Sequence, residues 1–342
     1  MTLRSAPRIG RKRALSAVST VVAALAALCC APIAGAASAD CVVVDTDFDI
    51  DDMMSIPTVI GARHVAAIVT TEGYTLAPIG ASAISRLIAE PGQRTIPVIV
   101  GAAAGMSDAE IEDKIGAYVL DYRAIMSRLN NFLPTELPPT PVRHDYAQQV
   151  VDAIAGCDQV DVLVLGTFAS FENYSPAIRA KIGRVVITGR PLEGDPELEA
   201  GESFNCVYHR RSCETVFHQQ LPGLDHTFVD VPRSDCDTTP NRAGCAGTVY
   251  GPTLAMAQAL GPVGLPNTLK QVMLNDSDTW AVDTWEQSGY GGRTMFWDQS
   301  TTLALLDPGA FRPVGAHVET VLSPRDFALR WTELTNLSAT YA

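Results

Sequence analysis

The chain has 342 residues, 47% of them hydrophobic and 18% charged, which is enough for one large domain with a substantial core. Its formal net charge of −13 makes nucleic acid and anionic membrane poor partners, because both carry the same sign. What remains is a soluble protein that attracts cations.

In chain order, residues 1–39 read first as a secretory signal peptide. Arg4, Arg8, Arg11, Lys12 and Arg13 form a basic segment, Ala14 to Cys30 an apolar run, and Ala37-Ser38-Ala39 an A-x-A cleavage site. The apolar run falls short of the ~20 residues that span a membrane. Cleavage after Ala39 leaves residues 40–342 as one folded domain of a secreted or periplasmic protein. It also removes five basic and no acidic residues, moving the net charge from −13 to −18. Six cysteines lie in this part, and an even number in an exported chain suggests disulfides. The pairs expected are Cys206–Cys213, Cys236–Cys245 and Cys41–Cys157, the last joining the beginnings of two neighbouring strands. Connectivity does not follow from spacing, and buried free thiols are the alternative.

Short apolar, β-branched runs then alternate with helical spacing. CVVVD (41–45), VAAIVT (65–70), IPVIVG (96–101), VDVLVLG (160–166) and RVVITG (184–189) read as strands. Their continuous apolar character suits a parallel sheet covered on both faces. Helices are expected over Asp51–Ala62, Ala77–Ala89, His144–Ala155 and Pro176–Lys181, with a kink at Pro57. The alternation predicts an α/β fold, a single doubly wound, mostly parallel sheet with helices on both faces. Phe132 to Pro141 and Asp230 to Gly251 read as loops.

The segment DTDFDIDD, Asp45 to Asp52, places five aspartates within eight positions at the carboxyl end of the first strand, where such sheets bind ligands. Desolvating this much like charge costs several kcal/mol per carboxylate unless a cation neutralises it. An EF-hand loop requires Gly at its sixth position and Glu at its twelfth, and Ile50 and Ile56 stand there. An aspartyl phosphatase would begin the same way but needs a Lys and a second acidic pair at later strand ends. A solvated acidic turn does not call for so many aspartates.

DTDFDIDD resembles the amino-terminal signature of the inosine-uridine preferring nucleoside hydrolase family, D-x-D-P-G-x-D-D. Phe48 and Asp49 replace the Pro-Gly, which purine-preferring members also lack. Further matches follow in order. IVTTEG (68–73) and RTIPVIVGA (94–102) resemble the family's second and third strands. VLVLGTFASF (162–171) resembles L-G-P-L-T-N, and RVVITG resembles R-I-V-x-M-G. ESFNCVYHRRSCETVF (202–217) resembles E-F-N-x-x-x-D-P-x-A-A. WDQSTTLALLDP (297–308) resembles the late H-D-P-x-x-V-A-x-L-x-D-P helix, with Trp297 in the His place.

The resemblance implies a catalytic domain over 40–342 that uses calcium to hydrolyse the N-glycosidic bond of ribonucleosides, purine nucleosides favoured, releasing base and ribose. Its partner is a small-molecule nucleoside, and relatives form homo-oligomers. By motif match, Asp47 contacts calcium and the attacking water as general base. Asp52 chelates calcium, Asp298 supplies a third carboxylate, and the Ala169 carbonyl is a further ligand. Asp51 bonds a ribose hydroxyl, Asn205 holds the 5′-hydroxyl, and Glu202 lies one position from the family's Glu. Asp49 is a further ribose contact, and Asp45 stands behind the water. Trp297 cannot protonate a leaving base as His can; its ring stacks on a purine, an interaction worth ~1–3 kcal/mol elsewhere. Tyr290 or Arg293, in the Gly-rich SGYGGR stretch, meets the base. The family places a ribose-binding Asn after the Gly of the second motif, where Tyr74 stands. This departure motivates the alternative of a catalytically silent secreted relative that binds a ribosyl or sugar ligand.

Overall fold

The computed structural model describes residues 41–89, 94–130, 144–189, 191, 203–231, 254–274 and 297–338. The expected signal peptide, the two expected loops and the SGYGGR stretch fall wholly or mostly outside them. Strands β1 (Cys41–Thr46), β2 (Val65–Thr70), β3 (Val98–Val100), β4 (Val160–Val164), β5 (Ile182–Thr188), β6 (His226–Val229), β7 (Phe311–Val314) and β8 (His317–Thr320) form one sheet. Its order is β3-β2-β1-β4-β5-β6-β8-β7, and every pairing is parallel except the β7–β8 hairpin. From β1 the chain winds outward one way through β2 and β3 and the other way through β4 to β6. The switch point therefore lies between β1 and β4, the place where doubly wound sheets bind ligands.

The period of two along β1 divides the interior in two. Val42 and Val44 enter a core with helices Ile50–Ala62, Gly264–Leu274, Trp297–Leu306 and Pro324–Leu337. Cys41 and Val43 enter the opposite core with helices Tyr146–Ala153 and Ala169–Ile178. Both faces are thus covered, as the unbroken valine runs require.

The Ile50–Ala62 helix contains Pro57 in its interior. One helical expectation is corrected. The expected Pro176–Lys181 helix is the end of a longer one, Ala169–Ile178, followed by a 3-10 turn at Arg179–Lys181. Pro176 has no N–H for the Glu172 carbonyl one turn back. Gln220 Nε2 donates to that carbonyl instead, at 2.8 Å, and the helix survives.

Cys41–Cys157 and Cys206–Cys213 stand at disulfide geometry in the expected pairing, with Cα–Cα distances of 5.9 and 5.1 Å. Cys236 and Cys245 lie outside the described residues. Among the described residues no helix is long and apolar enough to cross a membrane.

Candidate active site

The carboxyl end of β1 sends Asp45, Thr46 and Asp47 in three directions. Asp45 follows Cys41 and Val43 in facing the second core, beside Tyr174, and is completely buried. Burial pushes its carboxyl well above the usual range. Thr46 faces the first core and donates from Oγ1 to Asp52 Oδ1. Asp47 turns toward the loop after β2, where Tyr74 N–H donates to its Oδ2 at 3.0 Å.

The chain then reverses through Phe48, whose φ of 49° is the one positive value for a non-glycine among the described residues. A side chain in this region costs about 1–3 kcal/mol and persists only where its surroundings impose it. Phe48 is fully buried, which anchors the turn. The turn sets Asp49 at the N-cap of the Ile50–Ala62 helix. Its Oδ1 accepts from Asp51 N at 3.0 Å and from Asp52 N at 3.5 Å, and Asp52 Oδ2 accepts from Asp49 N at 2.9 Å, so Asp49 and Asp52 form a reciprocal capping box.

Asp298 arrives from the far end of the sequence, in the first turn of the Trp297–Leu306 helix. Its amide donates to Asp51 Oδ2 at 3.3 Å, and its Oδ1 accepts from Thr188 Oγ1, at the end of β5, at 3.0 Å. Asp49, Asp51, Asp52 and Asp298 thereby present oxygens that all lie within 4.8 Å of one another, and all four side chains are buried. Burial pushes Asp51, Asp52 and Asp298 well above the usual carboxylate range, and repulsion among these neighbours adds to it. Asp47 is pushed up to about 7, first by burial and then by the Asp49 charge, against the Tyr74 hydrogen bond and the Arg123 charge.

Four hydrogen-bonded, buried carboxylates with no basic side chain among them match the donor set of a hard divalent cation. Proton sharing alone would leave the cluster sensitive to every rise in pH.

The other expected site residues are placed as follows. Ala169 opens the Ala169–Ile178 helix, and its carbonyl accepts from Asn173 Nδ2 at 2.8 Å inside that helix. Asn205 is buried and donates from Nδ2 to the Leu165 carbonyl, tying its helix to the end of β4. Trp297 is half-buried against the first core, and its Nε1 donates to Asp230 Oδ1 at 3.1 Å. Glu202, Tyr290 and Arg293 lie outside the described residues. Sequence reading passed over Thr46, Thr188 and Asp230, which orient site residues, and also Glu72 and Arg123. The available signal was Glu72 itself, a charged residue two positions after an apolar strand.

A sequence profile described as inosine-uridine preferring nucleoside hydrolase matches residues 42–331, most of the chain. The chain belongs to that family. A nucleoside hydrolase cleaves N-glycosidic bonds, which makes this chain an N-ribosyl hydrolase of the EC 3.2.2 class. Solved structures share the fold at low identity. A plant nucleoside hydrolase (PpNRh1) aligns with a TM-score of 0.59 and 18% identity over 87% of this chain and 99% of its own. A purine-preferring ribonucleoside hydrolase from Gardnerella vaginalis gives 0.56 and 16% over 87% and 99%. An inosine-uridine preferring nucleoside hydrolase from Bacillus anthracis gives 0.52 and 12% over the same shares. No curated protein matches the chain.

Proposed function

We propose that this nucleoside hydrolase is exported, depends on calcium and prefers purine ribonucleosides. The observation that carries the reading is the joining of Asp52 and Asp51, after β1, with Asp298, from the end of the chain, in one buried all-oxygen cluster. Asp49, Asp51, Asp52 and Asp298 would hold a calcium ion, which would supply positive charge to these carboxylates and make a neighbouring water easier to deprotonate. Family membership and donor chemistry support it; calcium suits an all-oxygen set and is abundant outside cells.

Within this reading the chain's own groups divide the work. Asp47 takes the water's proton on the oxygen that Tyr74 N–H leaves free. Asp52 is aimed by Thr46 and by the Asp49 amide, and Asp298 by Thr188. Asp51 keeps one oxygen for a ribose hydroxyl while the other accepts from the Asp298 amide. Trp297, pinned through Nε1 to Asp230, offers its ring to the base and no proton, so the departing purine is protonated from solvent. Asn205 holds the 5′ end through its Oδ1, its Nδ2 being committed to Leu165. Asp49 supports ribose and the helix cap together.

The test is steady-state hydrolysis of inosine, guanosine, adenosine and uridine by the full chain, with calcium or with a chelator, read as ribose released. Purine cleavage that disappears with chelator and returns with calcium is expected. One observation favours a second reading, a silent ribosyl- or sugar-binding protein. The Tyr74 ring is stacked on Phe204, centroids 3.9 Å apart at 10°, at the place of the family's ribose-binding Asn. Calcium-dependent ribose binding without cleavage of any nucleoside would establish that reading.

A further inference from the structure

Glu72 lies in the loop after β2, and its side chain is buried. A buried carboxylate must find donors around both oxygens. Three segments supply them. Ala104 N–H donates to Oε2 at 2.7 Å, Arg123 Nη2 to Oε1 at 3.0 Å, and Tyr208 Oη to Oε1 at 2.8 Å. The Glu72 main chain is held as firmly: its amide donates to the Ala102 carbonyl at 3.0 Å, and its carbonyl accepts from Thr167 Oγ1 at 2.8 Å. One residue thus joins the segments that leave β2, β3 and β4 to the helices Tyr118–Asn130 and Phe204–Tyr208.

Arg123 carries the network one step further. Its Nη2 also donates to the Gly73 carbonyl, at 2.9 Å. The next residue, Tyr74, gives its amide to Asp47 Oδ2 at 3.0 Å. Gly73 approaches Asp47 so closely that a Cβ there would stand 1.9 Å from the same oxygen. The Tyr74 ring stacks on Phe204, and Phe204 meets Tyr208 with centroids 5.4 Å apart. Asp47 is therefore gripped by a loop whose own position is set by the Glu72–Arg123 pair.

We propose that Glu72 and Arg123 are positioning residues for the hydrolytic step: they fix Asp47 against Tyr74 and set the Tyr74–Phe204 aromatic wall beside it. This rests on the reading of Asp47 as the carboxylate that activates water. Neither residue touches substrate. Each acts through the Gly73–Tyr74 loop, as the partners of ligating groups do in metal sites.

Glu72→Gln tests this with almost no change of shape, because the amide NH2 must face either the Ala104 N–H or the Arg123 and Tyr208 donors. Arg123→Lys keeps the charge but loses the planar fork, and it serves if Glu72→Gln does not fold. Asp161→Asn is the control. Asp161 is buried between Arg63 and Arg184, at 3.2 and 3.4 Å, at the opposite end of β4 from the site. With calcium saturating, E72Q is expected to lower kcat about 10–100-fold with KM changed less than about threefold, and R123K to act in the same direction. D161N is expected to lose comparable thermal stability and keep kcat. A crystal structure of E72Q is expected to show Asp47 Oδ2 beyond hydrogen-bonding reach of the Tyr74 amide. Unchanged kcat in E72Q and R123K, losses that merely track thermal stability across all three variants, or a retained Asp47–Tyr74 contact would each overturn the proposal. If the wild-type chain cleaves no nucleoside, the reading of Asp47 fails, and the E72Q crystal structure still decides whether the pair positions this side chain.

Discussion

The amide of Asp298 donates to Asp51 Oδ2 at 3.3 Å across 247 positions of sequence. That bond couples the helix after β1 to the helix before β7, and it draws like-charged side chains into one buried cluster. The repulsion within that cluster is what a cation would relieve, and it leads to direct tests.

Asp298→Asn keeps an acceptor for Thr188 but removes one charge from the cluster. Two opposite changes in thermal stability are expected. With chelator, the variant melts above the wild type, since a buried like-charge repulsion is gone; each kcal/mol relieved is worth about 2–4 °C in a domain of this size. With calcium, the wild type gains stability and the variant does not. Nucleoside hydrolysis falls by about three orders of magnitude. A variant that still gains stability from calcium would remove Asp298 from the ion site.

Stability should depend on pH with an unusual sign. Burial and mutual repulsion raise Asp51, Asp52 and Asp298 above 3.8, and Asp47 to about 7. A carboxyl raised in the folded state binds its proton more tightly there than in the unfolded chain, so folding is favoured at low pH and loses support as pH climbs. In chelator, Asp47 is expected to lower Tm progressively from about pH 4 to about pH 7, and the other three act in the same direction as pH rises. Calcium reverses the trend, because it takes the place of the protons. Calorimetry across that interval, with and without calcium, checks both halves, and a chelated protein that gains stability over it contradicts the assignment.

Trp297→Ala removes the ring together with its Nε1 bond to the buried Asp230, which keeps the Val231 N–H as a donor. Losing a stacked base costs about 1–3 kcal/mol, or about 5- to 150-fold in kcat/KM for inosine and guanosine. Uridine, with less surface to stack, should lose less. Equal losses on purine and pyrimidine substrates would place the ring in the core alone.

The Cys41–Cys157 bond spans 116 residues and pins the start of β1 to the segment before β4. Closing a loop of this length stabilises by about 4–5 kcal/mol in the chain-entropy account, with measured losses on removal of about 2–5 kcal/mol. The double variant Cys41→Ser, Cys157→Ser is expected to unfold at correspondingly lower denaturant with the sheet intact. An unchanged midpoint would show the cross-link to be energetically idle.

The sheet's inner strands were legible because burial on both faces leaves mostly apolar side chains on them: β1, β2, β4 and β5 lie where their valine runs stand. The edge escaped notice for the converse reason. Strands β6, β7 and β8 have four residues each, most of them partly exposed, and Pro313 stands in β7, where an edge strand can accept it. In the site, the crowding of Asp45 to Asp52 announced a cation, yet spacing alone could not say which way each carboxylate points. Asp45 faces the other core because the strand period of two continues through it, whereas Asp49 turns into a helix cap because Phe48 reverses the chain. Thr46 and Thr188 stand inside quoted motifs at positions whose residue type those motifs do not explain, and Asp230 stands in none; their roles come from contacts that only folding creates.

Because Asp51 and Asp52 are made early and Asp298 is made 247 positions after Asp51, the acidic cluster cannot assemble until most of the chain has been synthesised. A polypeptide cut short before residue 298 lacks one of the four carboxylates, and on the proposed reading it is expected to leave nucleosides uncleaved.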